Sequence, residues 1–477
     1  MSSHDLHLEG APFLKEQNAG LYEPAGSKSL GEATERSSKQ NRAIAAEIPS
    51  WQDWRESARQ IKQFAIANLD KLLVQFEERI SARGATVLWA ENAEQANRLV
   101  LDIAREHHVK TVVKGKSMVS EEMELNHTFE AAGIRAVETD LGEYIVQLAH
   151  QRPTHIVTPA LHLSAEDVGK IFAERLGEPF SADHQHLTNV ARRHLREEYL
   201  KADMGMSGVN FAVADTGTLV VVENEGNGGL STSTPPIHVA LMGIEKVLPS
   251  IYYLPVFLNL LGRSGTGQKL TTYTHLIHGA TPGKKLYVII LDNGRTNVLA
   301  DPATHAALHC IRCGACLNAC PVYRRVGGWA YGWVYPGPIG SIVTPGLVGL
   351  KSAGKLPFAS SLCGACQEVC PIKIDIPHQL VHLRHRAVNE PSPMNSLSER
   401  LTWKAWAWAM SGSKRYRLAM AAVRLGVRMA KFLPWHPGKL GAWTRGRELP
   451  RVPGPAFRKS WSRHRSQLDS HDRSDRT

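Results

Sequence analysis

The chain's seven cysteines fall into two groups, Cys310-x2-Cys313-x2-Cys316-x3-Cys320-Pro321 and Cys363-x2-Cys366-x3-Cys370-Pro371. The first spacing is an iron–sulfur motif in which three thiolates hold one cluster and the fourth crosses to another. A cubane cluster needs thiolates converging from several directions, and two-residue gaps let one tight loop present three of them. Gly314 and Gly364 let the backbone turn sharply and point N–H groups at the cluster. The three-residue gap turns the last sulfur elsewhere, and the following proline redirects the chain. On this logic Cys310, Cys313, Cys316 and Cys370 hold a first cluster, and Cys320, Cys363 and Cys366 hold a second. The second set is one cysteine short, and a complete motif would have a cysteine where Ser360 stands. We expect two [4Fe–4S] clusters, the second completed by Ser360, water or substrate, with a [3Fe–4S] second cluster as the alternative; spacing does not choose. Zinc favours two separated CxxC pairs and fits this pattern poorly.

Elsewhere the chemical signals are weaker. Lys114 and Lys116 sit in a turn between a strand and a helix, where an anionic ligand could bind, although a solvated basic turn explains them as well. Asp215, Thr216 and Glu223 border a hairpin and could line a pocket, but Asp215-Thr216-Gly217 is also ordinary turn chemistry. Gly262 to Lys269 lacks the order of a phosphate loop, because Gln268 separates Gly267 from Lys269. No G-x-G-x-x-G follows a predicted strand, so no nicotinamide or flavin site of that type is expected. The 22 histidines are scattered without metal-ligand spacing.

The elements that must carry these residues alternate along the first 300 positions. Apolar residues recur at helical spacing from Trp54 to Arg83. ATVLWA (85–90), TVV (111–113), IRAVE (134–138) and HIVT (155–158) read as buried strands, with helices over 93–107 and 120–132. That alternation predicts β-α-β units around a mostly parallel sheet. Asn210–Gly226 reads as a hairpin and Lys285–Arg295 as a last strand with an Asn-Gly turn. Gly327–Gly354, rich in Gly, Pro and Trp, reads as a loop, and Leu418–Leu433 as a basic amphipathic helix. Four segments follow: an irregular leader (1–54), an α/β domain (55–300), a two-cluster domain (301–390), and a basic Trp-rich segment (391–477) with a disordered end.

At 477 residues and 43% hydrophobic content, the chain can bury a large core. Its net charge of +11 is concentrated at the end, where 18 Lys and Arg face 5 Asp and Glu from Glu399 to Thr477. A basic segment carrying Trp403, Trp406, Trp408, Trp435, Trp443 and Trp461 suits an anionic membrane surface or an acidic partner, and equally packing on its own domain. Nucleic acid ranks lowest, for want of a recognisable binding motif. No apolar run reaches spanning length and the first residues lack the pattern of a secretory signal, so the expected location is cytoplasmic, or peripheral at the inner face of the membrane.

The stretches VVKGKSMVSEEMELN, ADTGTLVVVENEGNGGLS, HCIRCGACLNACPVYRRVGG and SLCGACQEVCPIKIDIP, in that order and followed by the basic Trp-rich segment, resemble the lactate utilization protein B family over most of residues 55–460. The resemblance implies a LUD domain related to NagB/RpiA/CoA-transferase-like folds, followed by an α-helical ferredoxin domain. It implies a chain that works with two partner subunits in oxidising L-lactate to pyruvate and supports growth on lactate. The family's cluster ligands map onto all seven cysteines, and the resemblance leaves any catalytic residue in the LUD part unassigned. The expected role is a non-catalytic electron-transfer component that passes electrons to a downstream acceptor. One rival reading has the chain itself bind and oxidise substrate at the LUD pocket or an open iron. The other is a regulatory iron–sulfur protein that binds nucleic acid.

Overall fold

A computed structural model of the chain describes residues 24–392, 394–430, 457, 460–462 and 464–466. The strands are β1 (Ala85–Ala90), β2 (Thr111–Lys114), β3 (Arg135–Glu138), β4 (Met204–Gly208), β5 (Phe211–Val213), β6 (Thr218–Glu223), β7 (Ile237–Gly243), β8 (Val247–Leu248), β9 (Tyr273–Ile277) and β10 (Lys285–Leu291). Six of them form a sheet in the order β1-β10-β7-β4-β2-β3, every neighbouring pair parallel. The apolar runs of β7 and β10 are what such a sheet requires, since helices or a second sheet must cover both faces. Alternate residues of β7 serve opposite cores. Val239 and Leu241 pack with the helix Ala93–Glu106. Ala240 and Met242 join a larger core containing the helices Trp51–Ala67 and Leu69–Ser81, the smaller sheet and five of the cysteines.

The smaller sheet, β8-β5-β6-β9, is built on the expected antiparallel hairpin of β5 and β6. Its turn needs glycine: Gly217 has φ +61°, and a Cβ there would lie 2.6 Å from the backbone nitrogen of Ile80. The α/β architecture with a mainly parallel sheet is therefore as expected, and it is followed by a domain of short helices around the cysteines.

Several local expectations are corrected. HIVT is not a strand: His155 turns its ring back so that Nδ1 accepts the N–H groups of Val157 and Thr158 at 3.0 and 3.1 Å, which takes them out of any ladder. The leader is not irregular throughout. Residues 1–23 lie outside the described residues, but Pro24–Ala46 is a helix. Its buried stripe is Leu30, Thr34, Ser38 and Asn41, mostly polar and so silent to hydrophobic periodicity. The helical spacing from Trp54 to Arg83 is borne out by two helices, Trp51–Ala67 and Leu69–Ser81, that meet at Asn68. Gly337–Val348, expected as loop, is a buried helix with Pro338 in its first turn, where a missing N–H costs nothing. Of the expected helix Leu418–Leu433, the part to Ala430 lies in a helix Ser413–Ala430, and the rest lies outside the described residues, as does most of the tail beyond it.

The chain forms two compact units that divide between Asn395 and Ser396. The first holds the α/β and cysteine domains together. No helix among the described residues is long and apolar enough to cross a membrane.

Candidate metal centre

The two cysteine motifs fold alike, position for position. A one-turn 3-10 helix leads into each, His305–His309 and Leu356–Phe358, and a short helix leaves each, Ala315–Ala319 and Ala365–Glu368. Between them Arg312 (φ +60°) matches Leu362 (φ +56°), and Gly314 (φ +77°) matches Gly364 (φ +85°). Left-handed backbone at a non-glycine residue is uncommon, and its recurrence at the same step of both loops marks one imposed loop shape.

Cys313, Cys316, Cys320, Cys366 and Cys370 are buried, Cys310 is half-buried and Cys363 is exposed. Burial, reinforced by neighbouring cysteines, pushes the Cys313 and Cys316 thiols well above their ordinary range; it pushes Cys366 up to about 12 and Cys370 to about 11. At the exposed Cys363 the Ala365 N–H and then Ser361 lower the pKa instead. Buried thiols of this kind become thiolates when a metal takes the proton's place. The electrostatic neighbours cross the motifs. Cys313 feels Cys310 and Cys370, and Cys366 feels Cys320 and Cys363, while Cys316 feels cysteines of both motifs, Cys310, Cys313, Cys366 and Cys370.

The surroundings suit an anionic metal–sulfur group. Backbone N–H groups of Arg312, Tyr323 and Ile374 donate to the sulfurs of Cys310, Cys320 and Cys370 at 3.3, 3.5 and 3.4 Å. Arg312 is buried within the first motif, and its Nε and Nη1 have no hydrogen-bond partner. Burial works against its charge, but Tyr335, Cys310 and Glu245 outweigh it. The guanidinium stacks 4.6 Å from the Tyr335 ring centroid and reaches Glu245 at 3.4 Å. Glu245 meets Arg295 Nε at 2.5 Å, and Arg295 forms a bidentate pair with Glu122 at 2.7 and 3.0 Å. A buried chain of charges thus runs from the α/β domain to the first motif. A second anchor is Arg55, which donates to the Cys370 carbonyl at 2.7 and 3.0 Å and to that of Glu368 at 2.8 Å. Sequence reasoning missed Arg55, Glu122, Glu245 and Arg295, because they meet only through the fold.

These contacts separate the arginines near the first motif. Arg324 turns away to Glu35 and the carbonyl of Asn318, so its charge is already matched. Arg312→Gln is expected to lower the first cluster's midpoint potential by on the order of 50 mV, the one-electron equivalent of about 1 kcal/mol. Arg324→Gln is expected to move it much less. Redox titration followed by EPR compares them, and equal shifts would refute this division of roles.

Lys114 and Lys116 stand together, in an acidic setting. Lys114 ends β2, in register with Glu138 at the end of β3. Its ammonium is 1% exposed, lies 2.7 Å from Glu138 and 2.9 Å from Glu121, and donates to Ser120 Oγ. Burial alone would lower its pKa; Glu121, Glu138 and Glu143 reverse this and hold it above the lysine range. Lys116 donates to the Val157 carbonyl at 2.7 Å and lies 4.0 Å from Glu143. The three carboxylates converge closely enough to hold a cation, and Lys114 Nζ is the cation two of them already hold. Asp215 and Thr216 are elsewhere, in the turn of the smaller sheet. Asp215 accepts from the Ile251 N–H, and the Thr216 carbonyl accepts from Arg83. The four residues do not make one site.

A parallel-sheeted LUD-type α/β domain joined to a paired-cysteine ferredoxin-type domain defines an iron–sulfur protein. Residues 73–295 match the LUD domain, 306–374 the 4Fe-4S dicluster domain, and 381–466 the C-terminal domain of lactate utilisation protein B. The chain belongs to the lactate utilization protein B family. It is 38% identical to lactate utilization protein B of Shouchella clausii over 98% of this chain and 100% of that protein. It is 41% identical to that of Bacillus cytotoxicus over 90% and 92%. An electron transport protein of Escherichia coli, YkgF, is 37% identical over 94% of this chain and 95% of that protein.

Proposed function

We propose that this chain is the electron-transfer subunit of a complex that oxidises L-lactate to pyruvate, working with two further subunits and a downstream acceptor. The observation that carries the reading is the pair of matching cysteine loops in one compact unit with the LUD-type domain. Iron–sulfur clusters supply one-electron carriers. Lactate oxidation releases two electrons and two protons, and clusters held by the two cysteine sets would supply a one-electron carrier for each electron. The chain's own residues bury Cys313, Cys316 and Cys370 of the first set, leave Cys310 half-buried, and present N–H groups and Arg312 to it. Cys363, the exposed cysteine, makes the second set the point of exchange with an acceptor.

The test is anaerobic addition of L-lactate, with the clusters followed by EPR. Reduction only when the partner subunits are present is the expected result. Reduction of the chain alone would move the chemistry into this protein.

The second unit suits contact with an anionic membrane surface. Its helices Leu397–Met410 and Ser413–Ala430 carry Trp403, Trp406 and Trp408 at 59, 53 and 52% exposure, with Lys414, Arg417, Arg424 and Arg428 at heptad-like spacing. Sedimentation with phosphatidylglycerol vesicles, weakened by salt and absent with phosphatidylcholine, is the expected outcome. No binding to either would assign these tryptophans to a protein partner.

A further inference from the structure

The second group of thiolates is one short, and the fold supplies a replacement. In the first motif, Cys310 precedes Cys313 by three positions, and its sulfur accepts the N–H of Arg312 at 3.3 Å. In the second motif, Ser360 precedes Cys363 by three positions, and its Oγ accepts the N–H of Leu362 at 3.1 Å. Arg312 and Leu362 share the same left-handed backbone, at φ +60° and +56°. The match continues through the loop. The N–H groups of Leu317 and Asn318 return to the Gly314 carbonyl at 3.0 and 3.3 Å, and those of Gln367 and Glu368 to the Gly364 carbonyl at 2.9 and 3.1 Å. Ser360 therefore stands where Cys310 stands, in chain position, backbone path and hydrogen bonding alike.

The adjoining hydroxyl does not compete. Ser361 is one step out of register, and its side chain, after the Ala365 N–H, lowers the pKa of the Cys363 thiol. The backbone at Ser360 is also held: its carbonyl accepts from Arg384 Nη2 at 2.8 Å, while Arg384 Nε donates to the Pro357 carbonyl at 2.8 Å. Arg384 fixes the loop through main-chain carbonyls and makes no contact with the Ser360 hydroxyl, whose bond from the Leu362 N–H lies at the protein surface.

We infer that Ser360 Oγ is the fourth protein ligand of the second cluster, completing the set of Cys320, Cys363 and Cys366. Binding replaces the hydroxyl O–H bond with an oxygen–iron bond and releases one proton to solvent, with no change in oxidation state. Oxygen is a harder donor than thiolate, so this corner holds its iron less firmly than the all-cysteine corners do. The inference rests on the two-cluster reading and not on the identity of the substrate.

The experiment uses the full chain prepared anaerobically, in three forms. The unmutated protein is expected to carry about eight irons. Ser360→Ala is expected to lose one iron and show the EPR signal of an oxidised three-iron cluster. Ser360→Cys is expected to restore about eight and to keep them longer in air than the unmutated protein does. Should Ser360→Ala fold poorly, the unmutated protein still decides the matter. In cells supplied with unlabelled cysteine, serine deuterated at Cβ should give a deuterium coupling to the reduced second cluster in pulsed EPR that Ser361→Ala keeps and Ser360→Cys strongly reduces. About eight irons in Ser360→Ala, about seven in the unmutated protein, or no serine coupling would each overturn the assignment. None of these outcomes touches lactate-dependent reduction, so failure here is distinct from failure of the relay.

Discussion

Cys370→Ala and Cys366→Ala, only four positions apart in one motif, are expected to leave different clusters behind. The motif spacing sends Cys370 to the set of Cys310, Cys313 and Cys316, and leaves Cys366 with Cys320 and Cys363; Cys370 acts on Cys313, and Cys320 and Cys363 act on Cys366. Each variant should lose about half the iron, because a cubane deprived of a buried thiolate has no other soft donor nearby. The surviving cluster in Cys370→Ala is then the one with an oxygen corner, and in Cys366→Ala the one with four cysteines. Midpoint potential and EPR line shape of the remaining iron distinguish them. If both variants kept the same cluster, each motif would be using its own cysteines, and the crossing would be refuted.

The second large effect lies in the LUD-type domain. Lys114→Met leaves Glu138, 3% exposed, without its ammonium partner, and Glu121 and Glu143 close by. Removing one member of a buried ion pair typically costs about 3–5 kcal/mol. The pH dependence has a definite sign. Burial raises the Glu138 and Glu143 carboxyls above the ordinary range, and Lys114 restrains Glu138. Without Lys114 the Glu138 value rises further above that of the unfolded chain, which is about 4.3. A carboxyl raised on folding favours the folded state below its unfolded value, and that contribution is lost as pH rises through the folded value. The stability gap between variant and parent should therefore widen from pH 5 to pH 8. Thermal unfolding measures it, and a gap that is constant or narrows with pH would show that Lys114 acts by packing and not by charge.

How much of this is legible before folding depends on how local the signal is. The cysteine motifs and the strands β1, β2, β3, β6 and β10 are read from short runs of residues, because spacing and apolar alternation act within one segment. The helix Pro24–Ala46 escapes, since it buries Thr34, Ser38 and Asn41 where periodicity looks for Leu or Val. HIVT reads as a strand by composition, yet the His155 ring competes for the backbone N–H groups a neighbouring strand would need. Lys114 is visible as a basic residue at a strand end, but its carboxylates arrive from β3 and two separate helices, so a residue that reads as an anion site is the counter-ion of an acidic cluster. Glu122, Glu245 and Arg295 are far apart in the chain and meet only when the α/β domain folds, and Arg312 joins them from the cysteine domain through Glu245. Ser360 is the intermediate case. Spacing points to its position, and only the repeated backbone and hydrogen bond distinguish its hydroxyl from water or substrate.

The measurement that bears most directly on the whole account is iron and acid-labile sulfide per chain, on protein purified without oxygen. Two clusters, with about eight of each, are predicted. Zinc without sulfide, or iron sufficient for a single cluster, would contradict the electron relay and the lactate assignment with it.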